Sequence, residues 1–260
     1  MSDVRLVGII GAGTIGREVG ERIAGGAVPP FELLAFIDVI RPDNLPGSQL
    51  DTLDELLAAG PAVVVEAASH DALRAHGEAV LAHGADLICL SVGALADDAF
   101  RERLLDAARR SGARLIVPSG AVGGLDLLRA ASESGLERVE IEQRKPPKAL
   151  MSPEEAAALD EPRVVFEGTV RDVVSLYPLT TNVAAAVALS GLGFDETKAR
   201  VVADPALQAN QVVLTATGEF GEVTLRLANV ASANPRTSAI AAPSIIAALR
   251  RLGEALVIPG

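Results

Sequence analysis

Three glycines form the most informative pattern in this sequence. Gly11, Gly13 and Gly16 follow the apolar run Val7-Gly8-Ile9-Ile10 and open a helical pattern. In such a unit the first glycine allows a tight turn, the second lets a pyrophosphate approach the backbone, and the third permits close helix–strand packing. The amino end of the helix offers free N–H groups and a positive dipole to phosphates. We therefore predict a dinucleotide site formed by Gly11, Gly13, Thr14, Ile15 and Gly16.

An acidic residue lies where such a unit would hold the adenosine ribose. Asp38 closes the next predicted strand, 22 residues after Gly16. Its carboxylate would accept hydrogen bonds from the ribose hydroxyls and repel a 2′-phosphate. The expected cofactor is therefore NAD or NADP, with NAD favoured, although Arg41 nearby could tolerate NADP.

Small residues follow three further predicted strands, in the segments Glu66–Ser69, Ser91–Ala94 and Pro118–Gly124. Ligands of parallel sheets bind outside the carboxyl ends of the strands. These segments would leave room for ribose and nicotinamide, although each could also be merely a short turn. We predict that the further cofactor contacts are Ala67, Ala68, Ser91 and Gly93.

The first 120 residues alternate strand and helix patterns. The predicted strands are Val4–Ile10, Glu32–Ile37, Ala62–Val65, Asp86–Ser91 and Arg114–Val117. The predicted helices are Thr14–Ala24, Leu53–Ala59, Asp71–His83 and Asp98–Arg110. A capping box from Thr52 to Glu55 and an N-cap at Asp97 mark two helix starts. This alternation predicts a doubly wound parallel Rossmann sheet.

The pattern changes after Gly120. In Leu136–Lys145, apolar residues alternate with charged ones, which is typical of a strand with one wet face. Further predicted strands are Arg163–Phe166, Arg200–Ala203, Gln211–Thr217 and Glu222–Leu227, and further helices are Asn182–Leu192 and Ser238–Leu252. The predicted fold class is α/β, a Rossmann domain plus a smaller α+β domain with a mixed or antiparallel sheet. We assign 1–120 and about 234–260 to the Rossmann domain, and 121–233 to substrate binding and dimerisation.

Composition narrows the function classes. The formal charge of −11 argues against nucleic acid and anionic membrane as partners, since both need a basic patch. No apolar run approaches the roughly 20 residues of a membrane span, and no signal-peptide layout precedes the first strand. The single cysteine, Cys89, excludes an intramolecular disulfide and is expected to be buried and inert. The three histidines do not share one helix face, so no metal site is predicted, and a cytoplasmic location is expected.

The sequence resembles the L-aspartate dehydrogenases nearly end to end. The most telling segments, in this order, are Lys145-Pro146-Pro147, Asn182-Val183-Ala184-Ala185 and Asn234-Pro235-Arg236-Thr237-Ser238. The resemblance also includes Gly11–Gly16, Ser91–Ala94, Pro118–Asp126, Val165–Gly168, Tyr177-Pro178 and Ala203-Asp204-Pro205.

This resemblance implies a homodimeric enzyme that interconverts L-aspartate and iminosuccinate with NAD or NADP. Iminosuccinate would hydrolyse to oxaloacetate or feed NAD biosynthesis. The resemblance also implies that Ala121 and Asn182 contact the cofactor near its nicotinamide, and that the C-terminal helix packs on the Rossmann domain.

One departure from the family concerns its catalytic histidine. After Asp204-Pro205 the family pattern is an Asn, one residue, then the histidine, and here Asn210 and Gln211 are followed by Val212. Valine cannot transfer a proton, and Gln211 would face the other side of a strand. Thr180 replaces another usual Asn, and Pro243 replaces a common tyrosine and would kink the last helix unless it falls in the first turn.

Lys145 is the remaining ionisable candidate for catalysis, as a base or as a clamp for a carboxylate, although a solvated strand-end charge is the alternative. Three hypotheses remain open. The chain is an aspartate dehydrogenase that dispenses with the histidine, a dehydrogenase or imine reductase for a less acidic amino acid, amine or imine, or an NAD-binding protein without catalysis.

Overall fold

The computed structural model describes residues 4–178, 181–232, 237–256 and 258. The chain divides into two compact units. The first contains Met1–Gly120 and Ala241–Ile258, and the second contains Ala121–Ile240 and Pro259–Gly260. The roles predicted for the middle of the chain, substrate binding and dimerisation, stay predictions.

The first unit is built on a parallel sheet with the strand order β3-β2-β1-β4-β5-β6. The strands are β1 Arg5–Ile10, β2 Phe31–Ile37, β3 Gln49–Leu50, β4 Val63–Glu66, β5 Asp86–Cys89 and β6 Leu115–Ile116. This is the Rossmann strand order, and the predicted fold class is confirmed. The sequence analysis missed β3, because two residues are too few to show a period.

The four α-helices before Gly120 match the predicted ones within one residue at each end. They are α1 Thr14–Ala24, α2 Leu53–Ala58, α3 His70–His83 and α4 Asp98–Ser111, with a 3₁₀ helix at Val92–Ala96. The predicted caps are present, since the N–H of Glu55 donates to Thr52 Oγ1 at 3.2 Å and the N–H of Phe100 donates to Asp97 Oδ1 at 3.0 Å.

The second unit is built on a mixed five-stranded sheet with the order β11-β10-β7-β9-β8. Its strands are β7 Leu136–Lys145, β8 Arg163–Thr169, β9 Lys198–Ala203, β10 Gln211–Gly218 and β11 Gly221–Ala228. Only the β7–β9 pair is parallel among these described strands. Along β7, Val139 and Ile141 are buried while Glu140 and Glu142, on the other face, are half-buried, so the predicted alternation is confirmed.

In the described part of the second unit, the α-helices are α5 Leu125–Ser132, α6 Pro153–Ala157, α7 Val170–Leu176, α8 Asn182–Ser190 and α9 Gly193–Glu196. Only α8 is predicted by the sequence analysis. Capping boxes at Ser152 and Thr169 mark the starts of α6 and α7 and are the signals that could have found them.

The last helix, α10 (Ala241–Gly253), returns to the first unit and starts three residues later than predicted. Ile245 and Leu249 share a buried cluster with Val7 of β1 and Val19 of α1, which confirms that the C-terminal helix packs on the Rossmann domain. Pro243 is the third residue of α10. It therefore lies in the first turn, where proline removes no intrahelical hydrogen bond.

Among the described residues, no helix combines the length and apolar character that a membrane span needs. The same residues contain no group of three or more His, Cys, Asp or Glu side chains placed to hold a metal ion.

Candidate functional site

The glycine turn after β1 has the backbone geometry that the sequence predicts. Gly11 has a φ of +104°, and a Cβ there would lie 2.7 Å from the carbonyl oxygen of Ala67. A Cβ on Gly16 would collide with the carbonyl oxygen of Gly11. Gly13 is exposed, and a Cβ there would meet nothing within 4 Å. Two glycines are therefore required by packing, and the third leaves backbone open to a ligand.

The amino end of α1 suits an anion. Gly13 is the N-cap and provides no side-chain cap, and the first turn contains no acidic residue. The first N–H groups of a helix lack intrahelical partners, and the dipole makes this end positive. Thr14 and Ile15 are half-buried at this end. This set of donors fits a diphosphate.

Asp38 lies directly after β2, and backbone donors fix its carboxylate. The N–H of Ala12 donates to Oδ2 at 2.6 Å, and the N–H of Ile40 donates to Oδ1 at 3.0 Å. Gln49 Nε2 donates to the carbonyl oxygen of Asp38 at 3.0 Å. The half-buried carboxylate is thus joined to the glycine turn, with acceptor capacity left for hydroxyl groups.

Arg41 forms an ion pair with Asp51, and both side chains are largely exposed. Such a surface pair contributes little in water, so the guanidinium can leave it to meet another anion. Arg41 therefore remains a weak potential partner for a 2′-phosphate.

The loops after β4 and β5 contain the other predicted contacts of the first unit. Ala67 is half-buried and Ala68 is exposed, whereas Ser91 and Gly93 are buried. The Ser91 hydroxyl donates to Glu66 Oε1 at 2.8 Å, so it is committed inside the protein. Sequence reasoning assigned no role to Glu66, which is fully buried at the end of β4.

Cys89 is buried, as predicted. Burial and the charge of Glu66 both raise the pKa of its thiol well above the usual value. The thiolate that a reactive cysteine needs is therefore disfavoured.

In the second unit, one sheet face brings together Lys145 and Val212, the residue at which the family resemblance leads us to expect a histidine. Val212 pairs with Gln143 across β10 and β7, and Lys145 lies two residues further along β7. Since side chains alternate along a strand, all three point to the same face. Their exposed fractions are 2% for Val212, 4% for Gln143 and 4% for Lys145. Gln211 faces the opposite side, where Arg226 Nη2 donates to its Oε1 at 3.0 Å.

The ammonium of Lys145 is desolvated. Burial lowers its pKa from 10.5 to about 8. The prediction of a solvated strand-end charge is therefore wrong for this lysine. A buried amine with a lowered pKa can give up its proton at a lower pH than a free lysine, which proton transfer requires.

An ion pair holds the strands next to Lys145. The Lys145 carbonyl accepts from the N–H of Asp204 at 2.9 Å, and Arg144 Nη2 donates to Asp204 Oδ2 at 2.7 Å. The hydrogen bonds from Arg144 lower the pKa of the Asp204 carboxyl. The Asp204-Pro205 segment thus fixes the end of β9 against β7.

The two nicotinamide contacts implied by the family resemblance also lie in the second unit. Ala121 is half-buried, and its carbonyl accepts from Asn229 Nδ2 at 3.2 Å. Asn182 is half-buried at the first residue of α8. Thr180 and the stretch 234–236 lie outside the described residues.

A Rossmann sheet with a glycine turn, an uncapped helix end and a carboxylate directly after β2 defines an NAD(P)-dependent oxidoreductase. Comparison with known proteins agrees. Residues 11–118 match the model for the NAD-binding domain of homoserine dehydrogenase, and residues 126–252 match that for the C-terminal domain of aspartate dehydrogenase.

Among curated relatives, L-aspartate dehydrogenase 2 of Bordetella pertussis is 39% identical over 255 residues, which span 94% of this chain and 96% of the relative. L-aspartate dehydrogenase of Methanosarcina acetivorans is 37% identical over 262 residues, which span 95% and 96%. The crystal structure of aspartate dehydrogenase from Thermotoga maritima superposes with a TM-score of 0.83 at 31% identity, covering 99% of this chain and all of that one. The chain belongs to the aspartate dehydrogenase family.

Proposed function

We propose that this protein oxidises L-aspartate to iminosuccinate with NAD, or runs the reverse reaction, and that Lys145 takes over the proton transfer. The observation that carries this proposal is the buried Lys145, on the same sheet face as Val212, where the family resemblance implies a histidine. Its pKa of about 8 suits exchange of a proton near neutral pH.

The cofactor is proposed to bind with its diphosphate on Gly13, Thr14 and Ile15 and its adenosine ribose on Asp38. Gly11 and Gly16 shape that turn. The carboxylate of Asp38 supports a preference for NAD, since it would repel a 2′-phosphate. The proposed contacts towards the nicotinamide are Ala67, Ala68, Ser91, Gly93, Ala121 and Asn182.

When bound, the nicotinamide supplies the hydride acceptor or donor for C2 of the substrate. The chain must keep the substrate amine neutral so that the C–N double bond can form. Neutral Lys145 would accept the proton that the ammonium group of aspartate gives up. Such proton transfer contributes about 10²–10⁴-fold to a rate, and positioning contributes much of the rest.

A second candidate function follows from Val212 itself. The side chain is buried and lies beside Leu227 in the β10–β11 pairing. A site with valine in place of histidine has one fewer hydrogen-bond donor for the second carboxylate of a substrate. It would suit a less acidic amino acid, amine or imine on the same scaffold.

Steady-state assays across a set of substrates test the proposal. The wild-type protein is assayed with NAD⁺ and L-aspartate, L-asparagine, L-alanine and simple primary amines, and in the reverse direction with oxaloacetate and ammonia. We expect kcat/KM to be highest for L-aspartate. A higher value for an uncharged substrate would establish the second candidate. No turnover in either direction, with NADH still bound, would identify a non-catalytic NAD-binding protein.

We further propose a homodimer located in the cytoplasm. The resemblance to the family implies the dimer, and a single buried cysteine is consistent with a reducing compartment. Light scattering on the purified protein should give twice the 26.7 kDa chain mass. A monomer mass at working concentration would contradict the dimer.

A further inference from the structure

Glu66 is a buried carboxylate that the proposed reaction does not use. It ends β4, its exposed fraction is 0%, and neutral groups of Ala68, Ser69 and Ser91 donate hydrogen bonds to it. The N–H of Ala68 and the hydroxyl of Ser91 donate to Oε1, both at 2.8 Å. The N–H of Ser91 donates to Oε2 at 3.0 Å, and the backbone of Ser69 adds a further bond.

The arrangement ties two loops to one side chain. Residues 67–69 follow β4, and Ser91 follows β5, so the carboxylate joins the carboxyl ends of neighbouring strands. The backbone reinforces this link, since the N–H of Leu90 donates to the carbonyl of Glu66 at 3.0 Å. An apolar side chain would fill the same space without burying a charge, so stability alone does not explain a glutamate here.

Glu66 lies at the edge of the sheet where a ligand is expected to bind. β1 and β4 are neighbours at the point where the strand order reverses, which is where doubly wound sheets bind their ligands. The loop that Glu66 holds also contacts the glycine turn, because the N–H of Ala67 donates to the carbonyl of Ile10 at 2.9 Å. The loop passes close beside the glycine turn, since a Cβ on Gly11 would lie 2.7 Å from the carbonyl oxygen of Ala67.

We propose that Glu66 is a positioning residue for the nicotinamide half of the dinucleotide. Glu66 does not contact the cofactor itself. Its hydrogen bonds hold the loop 67–69 and Ser91 beside the glycine turn, and these segments position the nicotinamide half. This inference rests on the proposed cofactor site. The adenosine half, held by Asp38 and the start of α1, is independent of Glu66.

The test compares two ligands in Glu66→Gln. Glutamine keeps the shape and one acceptor, but its amide nitrogen cannot accept from the N–H of Ser91 or the loop. Calorimetry with NADH and with ADP-ribose, which lacks nicotinamide, separates the two halves of the site. We expect the Kd for NADH to rise about tenfold or more, as the loss of hydrogen bonds to a charged group implies, and the Kd for ADP-ribose to stay within about twofold.

Asp86→Asn is the matched control. Asp86 is a buried carboxylate at the start of β5, where Arg114 Nη2 donates to its Oδ2 at 2.6 Å. Removing the charge of Asp86 should lower the stability of the protein and leave the ratio of the Kd values for NADH and ADP-ribose unchanged. Should Glu66→Gln not fold, Glu66→Asp keeps the charge but withdraws the carboxylate from the Ala68 N–H and the Ser91 hydroxyl, and it should produce the same selective loss.

Unchanged NADH binding in Glu66→Gln would overturn the role of Glu66, and so would equal losses for NADH and ADP-ribose. In both cases the proposed function would stand, because the wild-type protein would still bind both ligands. If the wild-type protein bound neither ligand, that result would refute both the proposed cofactor site and the role of Glu66.

Discussion

Replacing Lys145 with methionine should stabilise the protein, and the gain should depend on pH. The folded protein lowers the pKa of this lysine from 10.5 to about 8 by burial. One pKa unit corresponds to about 1.4 kcal/mol. The desolvated lysine therefore costs about 3 kcal/mol of folding free energy wherever it is charged in both states.

The sign follows from the two protonation states. Above pH 10.5 the lysine is neutral in the folded and unfolded chains, so its burial carries no ionisation cost. As the pH falls from 10.5 to about 8, the unfolded chain takes up the proton first and stability is lost. Methionine does not titrate. The advantage of Lys145→Met in free energy of unfolding should be about 3 kcal/mol at pH 7 and about 1 kcal/mol at pH 10.

Equilibrium urea unfolding at pH 7 and pH 10, at constant ionic strength, measures this difference. Lys148→Met is the control, because Lys148 is exposed and its loss should give no pH-dependent gain. An advantage that was the same at both pH values, or larger at pH 10, would refute the argument that Lys145 is desolvated.

Three further predictions concern the proposed site. Asp38→Ser should lower the Kd for NADP(H) and raise that for NAD(H), shifting their ratio by about tenfold or more, since it removes the charge that repels a 2′-phosphate; an unchanged ratio would exclude Asp38 from the ribose site. Gly13→Ala should fold normally but bind NADH weakly. Gly11→Ala should instead lower the melting temperature, because a Cβ on residue 11 would meet the backbone of Ala67 and the position has a left-handed φ. Val212→His should raise aspartate turnover at a stability cost of about 1–3 kcal/mol from overpacking, and a large loss of turnover would indicate a site reshaped for another substrate.

Local patterns were enough to predict most of the Rossmann unit. The glycine turn, Asp38 and the caps at Thr52 and Asp97 depend on residues close in sequence, so spacing alone locates them. Glu66 was missed for the opposite reason. Nothing nearby shows that its partners include Ser91, 25 residues away.

In the second unit, the long strands could be located from the sequence, but the residues that lie close together in the site could not. The strand ending at Lys145 has a clear period of two, but the neighbourhood of Lys145 and Val212 depends on the register between β7 and β10. That pairing joins residues almost 70 positions apart, and a shift of one residue would place Val212 on the opposite face. The short helices α5, α6, α7 and α9 contain too few turns to show a helical period.

The pH dependence of kcat/KM for L-aspartate oxidation, measured in the wild type and in Lys145→Arg, tests the central claim most directly. Arginine keeps a positive charge that could hold a carboxylate, but it cannot accept a proton. With Lys145 as the base, the wild-type value should rise as the pH passes about 8, and Lys145→Arg should lose about 10²–10⁴-fold together with that rise. Near-normal activity in Lys145→Arg, with the same pH profile, would contradict the proposal and leave the lysine at most a carboxylate clamp.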